Sequence, residues 1–371
     1  MKTEQSLPIS QVTVSLSRRD LAAMLSLVRL LFRMSRSRDY RHMVFPHLPE
    51  VARFDPGHAS LMMGYDFHLT DAKPKLIEVN TNAGGGYLAW LSDQQTGKIS
   101  TIHLSQRFET RLLQSFLQEW HDFSGAERPL KTIAIIDEEP QLQPLFPEML
   151  ACCDWLCEQG FDARVVAPQK LDVQPDGVYA HGVRIDLIYN RHCDFFLETE
   201  VMRALRSAYL NKTVCLSPNP FAYGLLADKR RMVLWSDTDL LESLTLSSDD
   251  LKLLKDMVPE SRLFSDCDEE ELWAQRKKLI FKPVTRFGSR GVLLGKSITR
   301  KRFAELEPET TLVQDVVPPS VVADSDGREY KTDLRLYVYR DHLLGVGARL
   351  YRGQVTNLRT EGGGFAPVRI V

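Results

Sequence analysis

Short apolar runs alternate with amphipathic stretches between Lys131 and Leu210, and this alternation restricts the possible folds more than any other feature of the chain. Lys131-Thr-Ile-Ala-Ile-Ile-Asp137 reads as a buried strand, Phe146 to Gln159 as a helix stopped by Gly160, and Ala163 to Ala167 as a second strand. Val183 to Tyr189 adds a strand and Glu198 to Leu210 a helix. Such alternation predicts a small parallel α/β layer, here over residues 130–228.

The flanking regions follow other patterns. Ser17 to Arg36 repeats Leu21, Met24, Leu25, Val28, Leu31 and Phe32 at helical spacing, with Arg18, Arg19 and Arg36 outside it. Ser60 to Leu69 and Lys75 to Asn80 read as a hairpin turning at Thr70 to Pro74. Ala83-Gly-Gly-Gly86 and an amphipathic helix from Ser105 to Phe123 follow. Beyond the parallel layer, Asp249 to Met257 reads as a helix, and Lys277 to Pro283, Val292 to Gly295 and Thr310 to Val317 as strands. Thr332 to Tyr339 and Leu343 to Tyr351 form an expected antiparallel pair. Three regions result: 1–129, 130–228 and 229–371.

At 371 residues, with 43% apolar and 26% charged, the chain can bury a sizeable core without long disorder. Its 47 Lys and Arg against 49 Asp and Glu leave a formal charge of -2. That excludes a global field for nucleic acid or an anionic membrane, so any anion site must be built locally. The cysteines have no CxxC spacing, and no cysteine pair precedes His42 and His47, so a structural zinc is not expected. Cys152, Cys153 and Cys157 read as small buried side chains of one helix. Met1 to Thr13 lacks the basic start and apolar core of a signal peptide, and Leu21 to Phe32 contains Arg29 and is too short for a bilayer. A reducing cytoplasm is the expected setting, with no membrane partner.

Several groups of residues carry chemistry. Side chains alternate along a strand, so Glu78 and Asn80 share a face, and Asp66 on the neighbouring strand reaches it. Two carboxylates and an amide oxygen form a hard-oxygen set suited to Mg²⁺; the alternative is a solvated hairpin with ordinary surface acids. Lys282 ends a strand shortly before Arg286-Phe-Gly-Ser-Arg-Gly291. It can place a charge on a phosphate, while Gly288 and Gly291 let backbone N–H groups approach and the loop move as a lid; the alternative is a hairpin turn among surface cations. Asp333 and Arg335 share a strand face and Arg349 returns on the next strand. Arginine forks onto phosphate or carboxylate oxygens, or these charges form a cross-strand ion pair. Asp228-Lys229 supplies a further cation.

Together these pieces resemble the ATP-grasp superfamily. There a lysine strand and glycine loop precede an adenine-binding strand similar to Leu312-Val-Gln-Asp-Val316, then a DxR … R … N … GG segment, and G-x-D … (I/L)-E-x-N closes the run. Here the closing piece, Gly64-Tyr-Asp66 and Ile77-Glu-Val-Asn80, stands near the start, while the others keep their order to Gly364. This arrangement is similar to the circularly permuted branch typified by eukaryotic-type glutathione synthetase, from about Ser60 to the end. The resemblance implies an α/β (α+β) fold, a circularly permuted ATP-grasp core with a small Rossmann-like parallel domain inserted between its halves. Region 1–129 would carry the metal-binding part, and 229–371 the lysine strand, the lid and the C-terminal core.

The same resemblance implies Mg²⁺ ligands at Asp66, Glu78 and Asn80. It implies ATP contacts at Lys229, Lys282, Gly288, Ser289, Gly291, Gln314 and Val316, those at Gln314 and Val316 through backbone groups. Phosphate or substrate contacts would come from Arg335, Arg349 and Arg359. Two departures stand out: Arg286 takes the place of a further acidic metal ligand, and Gly64 the place of a peptide-gripping arginine. The implied activity is ATP- and Mg²⁺-dependent ligation of a small carboxylic acid or peptide to an amine or amino acid, through an acyl phosphate. Backbone N–H groups at Gly84 to Gly86 and Arg359 would hold the tetrahedral oxyanion. An ATP-grasp kinase and a catalytically silent nucleotide-binding protein share the nucleotide features and stay open as alternatives. Related ligases are often dimers, so a homodimer is an open expectation; a nucleic-acid partner is not expected.

Overall fold

The computed structural model describes residues 9–96, 104–284, 291–357 and 360–371. Its central feature is an antiparallel sheet that draws on both ends of the chain. The strand order is Gly364–Ala366, His342–Tyr351, Glu329–Tyr339, Met63–His68, Lys75–Asn80, and Ser320–Ala323 pairs onto the start of Glu329–Tyr339. The expected hairpin and the expected C-terminal pair are therefore neighbours, with Arg335 opposite Asp66 and Asp66 opposite Glu78. Val14–Leu16 also pairs in parallel with Val368–Ile370, which fastens the two ends together. Leu21, Met24, Leu27, Val28 and Leu31 of helix Arg18–Arg36 are buried in the same core as Tyr65, Phe67 and Leu336, which covers one face of the sheet. Ser17 starts that helix by accepting the Asp20 N–H at 3.0 Å.

A second antiparallel sheet runs Ser261–Leu263, Thr311–Asp315, Leu279–Pro283, Leu293–Leu294. Phe264, Phe281, Phe303 and Val313 form its own small core. A third sheet is wholly parallel, in the order Cys215–Ser217, Leu187–Asn190, Thr132–Ile136, Asp162–Val166. This is the α/β layer that the alternation after Lys131 predicts. Helix Leu104–Ser124 lies between it and the large sheet, because Phe108, Leu112, Phe116 and Trp120 share a core with Ile133 and Leu187 on one side and Tyr337 and Leu344 on the other.

The buried carboxylate of Glu119 locks that helix in place. It accepts from His58 Nδ1 (2.9 Å), the Ala59 N–H (3.0 Å), the Ser217 hydroxyl (2.7 Å) and the Tyr339 hydroxyl (3.0 Å). Among the described residues no helix is long and apolar enough to cross a membrane.

Some local expectations need correction. Val183 to Tyr189 is two strands, not one. Val183–Ile185 closes a three-stranded antiparallel sheet with Leu171–Gln174 and Gly177–Ala180, and Leu187–Asn190 joins the parallel sheet. The break falls at Asp186, whose carboxylate turns back to accept the Lys131 and Thr132 N–H groups at 2.9 and 3.1 Å. Glu198 to Leu210 is a short 3-10 turn, Glu200–Met202, leading into helix Arg203–Leu210. Only Cys152 of the helical cysteines is buried; Cys153 is half-buried and Cys157 is exposed.

Candidate active site

The face of the large sheet away from helix Arg18–Arg36 is charged. Period-two alternation puts Asp66 on one side of its strand and Tyr65 and Phe67 on the other, in the core. The pairing then sets Glu78, Asp66 and Arg335 in one row across three strands, with Asp333 opposite Arg349 in the next. A β-bulge at Ile77 shifts the register between Asp66 and Phe67. Between this face and the second sheet lies a cleft of about 430 Å³.

Cations outnumber anions around it. Lys229, Lys277, Lys282, Lys296, Lys331, Arg335 and Arg349 face Asp66, Glu78, Asp315 and Asp333. A chain with almost balanced charge has thus gathered a local positive excess, as a polyanionic ligand requires.

Lys282 stands at the end of its strand with only 6% of its surface exposed. Its ammonium donates to Gln314 Oε1 at 2.7 Å and to the carbonyl of the bulged Ile77 at 3.1 Å. Both acceptors are neutral, so burial dominates and pushes this amine down to about 8. An ammonium has three N–H bonds, and these two acceptors leave one for a ligand. Gln314 is held in turn by donating to Ser261 Oγ at 3.0 Å. Lys229 reaches the same corner and pairs with Glu78 at 3.2 Å.

Asp66 is the hub of the opposite wall. Its carboxylate accepts from Arg335 Nε (2.5 Å) and Nη2 (2.7 Å), Arg349 Nη2 (2.8 Å) and Asn80 Nδ2 (3.3 Å). Burial alone would raise its pKa, but the two guanidinium groups hold it down at about 2. Arg349 also donates from Nε to Asp333 at 2.7 Å, and Asp333 accepts the Thr356 hydroxyl at 2.7 Å. Gly64 makes room for this arrangement: a Cβ there would lie 3.0 Å from Arg335 Cδ and 2.7 Å from Ala83 Cβ.

The structure brings Asp66, Glu78, Asn80, Lys229, Lys282, Gln314, Val316, Arg335 and Arg349 to one cleft. Gly291 ends the glycine loop at φ +78°; Gly288, Ser289, Arg286 and Arg359 lie outside the described residues. Other expectations change in detail. The Val316 N–H donates to the Lys278 carbonyl at 2.9 Å, so it is not available to a base. At Gln314 it is the side chain that acts, by fixing Lys282. The Gly84–Gly86 run is not an open cradle of N–H groups, because the Gly85 N–H is taken by Glu148 at 2.9 Å.

The three expected Mg²⁺ ligands have different surroundings. Asp66 is already charge-paired with Arg335 and Arg349, and among the described residues no group of three His, Cys, Asp or Glu could hold an ion. Glu78 lines the cleft, and Asn80 turns its amide nitrogen to Asp66, leaving its oxygen available. Mg²⁺ is usually held by one or two carboxylates together with a nucleotide's phosphates rather than by an all-protein cage. Glu78 and Asn80 fit that mode.

Lys277, Lys296, Lys331 and Thr356 also line the cleft, beyond the residues expected from the sequence. Lys331 was legible: it shares strand parity with Asp333 and Arg335. Lys277 and Lys296 sit beside elements whose pairing the sequence does not specify.

No family of known sequences matches this chain, and no curated protein matches it either. Solved structures do. A glutathione synthetase-like effector from Globodera pallida, in its apo form, superposes with a TM-score of 0.61 at 11% identity, covering 98% of this chain and 90% of that one. A protein assigned as a gamma-glutamylcysteine synthetase from Methylobacillus flagellatus KT gives 0.49 at 11% identity, covering 91% and 84%. The ATP-grasp ligase PsnB, solved with a minimal precursor, gives 0.34 at 14% identity, covering 64% and 90%. The chain shares the mixed α/β fold of that glutathione synthetase-like effector.

Proposed function

We propose that this protein is an ATP- and Mg²⁺-dependent ligase of the glutathione synthetase-like kind, joining a small carboxylic acid or peptide to an amine or amino acid through an acyl phosphate. We further propose that its core is circularly permuted, with the parallel layer inserted between the halves. The observation that carries the reading is the convergence of Lys229 and Lys282 with the Asp66–Arg335–Arg349 hub, from distant parts of the chain, across one cationic cleft.

In this reading Lys282 and Lys229 hold the phosphates, Lys282 through its remaining N–H. Arg335 and Arg349, set by Asp66 and Asp333, aim guanidinium N–H groups at the transferred phosphoryl group and the carboxylate that attacks it. Both arginines arrive oriented, so little reorganisation accompanies charge development in the transition state. Val316, Val317 and Pro318 give the other part of the cleft an apolar wall suited to a base. Mg²⁺, held by Glu78 and Asn80, would supply further neutralisation of the phosphates. The carboxylate displaces ADP to give the acyl phosphate; the amine then attacks its carbonyl carbon, the bond to phosphate breaks, and the amine's proton leaves with the phosphate.

The test is to incubate the full chain with ATP, Mg²⁺ and pools of small acids, peptides and amino acids, measuring ADP and phosphate and identifying products by mass spectrometry. An amide together with free phosphate is the expected result. A stable phosphorylated product would replace the ligase with a kinase. No ADP from any mixture would contradict an enzyme of either sort.

A further inference from the structure

Residues 81–85 form a strap from strand Lys75–Asn80 to helix Gly86–Thr96, and it passes between the parallel sheet and the large sheet. Helix Phe146–Glu158 presents Glu148 to it, 2% exposed. The Glu148 carboxylate accepts the Gly85 N–H at 2.9 Å and the Tyr87 N–H at 3.1 Å, and pairs with Arg191 at 3.2 Å. Arg191 follows strand Leu187–Asn190, and its carbonyl accepts the Asn82 side-chain amide at 3.1 Å. Its guanidinium lies against Gly84, where a Cβ would come within 2.5 Å of Nη2. On the far side of the strap the Gly84 carbonyl accepts from Arg335 Nη1 at 3.1 Å and the Tyr337 hydroxyl at 3.4 Å. Gly85, at φ +90°, is pressed on the Phe365 ring.

A buried, balanced ion pair contributes little net stability, and an apolar pair of similar volume would serve as well. What an apolar pair could not do is satisfy the Gly85 and Tyr87 N–H groups and so fix where the Gly84 carbonyl points. Asp66 sets two nitrogens of Arg335; Gly84 sets the third. We propose that Glu148 and Arg191 are positioning residues, which act through the Gly84 carbonyl to orient Arg335 in the cleft. The parallel layer is thereby wired to the nucleotide site by a chain of hydrogen bonds from Arg191 to Asp66. The proposal rests on the reading that Arg335 meets the nucleotide's phosphates.

The test is a double-mutant cycle on the full chain, with Mg²⁺ and adenylyl imidodiphosphate as the probe in calorimetry. Arg335→Ala should weaken binding about tenfold, as loss of a charge-assisted hydrogen bond implies. Glu148→Gln, which keeps shape and removes charge, should weaken it by a smaller factor of about three to ten. The double variant should bind no worse than Arg335→Ala alone, because Glu148 acts only through that arginine. Multiplying losses, or wild-type affinity in Glu148→Gln, would overturn the proposal. If Glu148→Gln fails to fold, Glu148→Met with Arg191→Met removes both charges and runs the same cycle. Melting temperatures of the same variants form a second cycle that needs no nucleotide, and there too the expected shifts are non-additive. A wild type that binds no probe would therefore overturn the nucleotide reading alone, and additive melting shifts would overturn the strap.

Discussion

Two buried carboxylates, Asp66 and Glu119, each accept four hydrogen bonds, yet they do different things. The donors to Glu119 are an imidazole, a backbone amide, a serine and a tyrosine, and they join a helix, a loop and two sheets. The donors to Asp66 are two arginines and an amide at the wall of a 430 Å³ cleft. The number of bonds accepted is the same, and what the donors have left over differs. Arginine carries five N–H bonds and a permanent charge, so a guanidinium that satisfies Asp66 still has donors for a ligand. Around Glu119 the network closes on itself and holds architecture. Around Asp66 it stays open on one side.

Substitutions at the two centres should separate these roles. Asp66→Asn leaves two buried guanidinium groups without their shared anion and should lose about 3–5 kcal/mol of stability in urea unfolding, together with nucleotide affinity. The Asp66 carboxyl has its folded pKa lowered from 3.8 to about 2. Its contribution is therefore complete above pH 3.8 and lost as pH falls through 2. Stability unchanged by Asp66→Asn would put that residue outside the hub.

Lys282→Ala should weaken adenine nucleotide binding by roughly 10- to 100-fold, equivalent to about 1.5–3 kcal/mol. Lys282→Met should raise the melting temperature, because burial disfavours the charged amine in the folded state. That penalty is present in full below pH 8 and is relieved as pH rises from about 8 toward 10.5. A lower melting temperature for Lys282→Met would contradict it. Glu119→Gln should lose about 1–3 kcal/mol of stability while nucleotide affinity stays within about twofold. A large drop in affinity there would erase the contrast. The smallest effect is on pH dependence: nucleotide affinity should fall a few-fold as pH rises through about 8 and Lys282 loses its charge. In Lys282→Arg the fall should vanish.

The same contrast explains what the sequence could disclose. Asp66, Glu78, Asn80, Arg335 and Arg349 were legible because period-two alternation assigns them a face from spacing alone. Lys282 was legible as a cation closing an apolar strand. Glu119 and Glu148 were not. Each sits in an amphipathic helix like any other acid, and its partners stand tens to hundreds of residues away: His58, Ser217 and Tyr339 for one, Gly85 and Arg191 for the other. The glycine run suggested an anion cradle, but the fold fills that cradle with the chain's own carboxylate. The break at Asp186 has no sequence signal, because a side chain capping a distant strand leaves no periodic mark.

Glu78 of the large sheet and Lys282 of the second sheet should meet around one magnesium nucleotide. Calorimetric titration of Mg²⁺ and adenylyl imidodiphosphate into the full chain, its Glu78→Gln variant and its Lys282→Ala variant tests this directly. One nucleotide should bind per wild-type chain, and each variant should bind at least about tenfold more weakly. Equal affinity in all three proteins, or none in the wild type, would contradict a shared site.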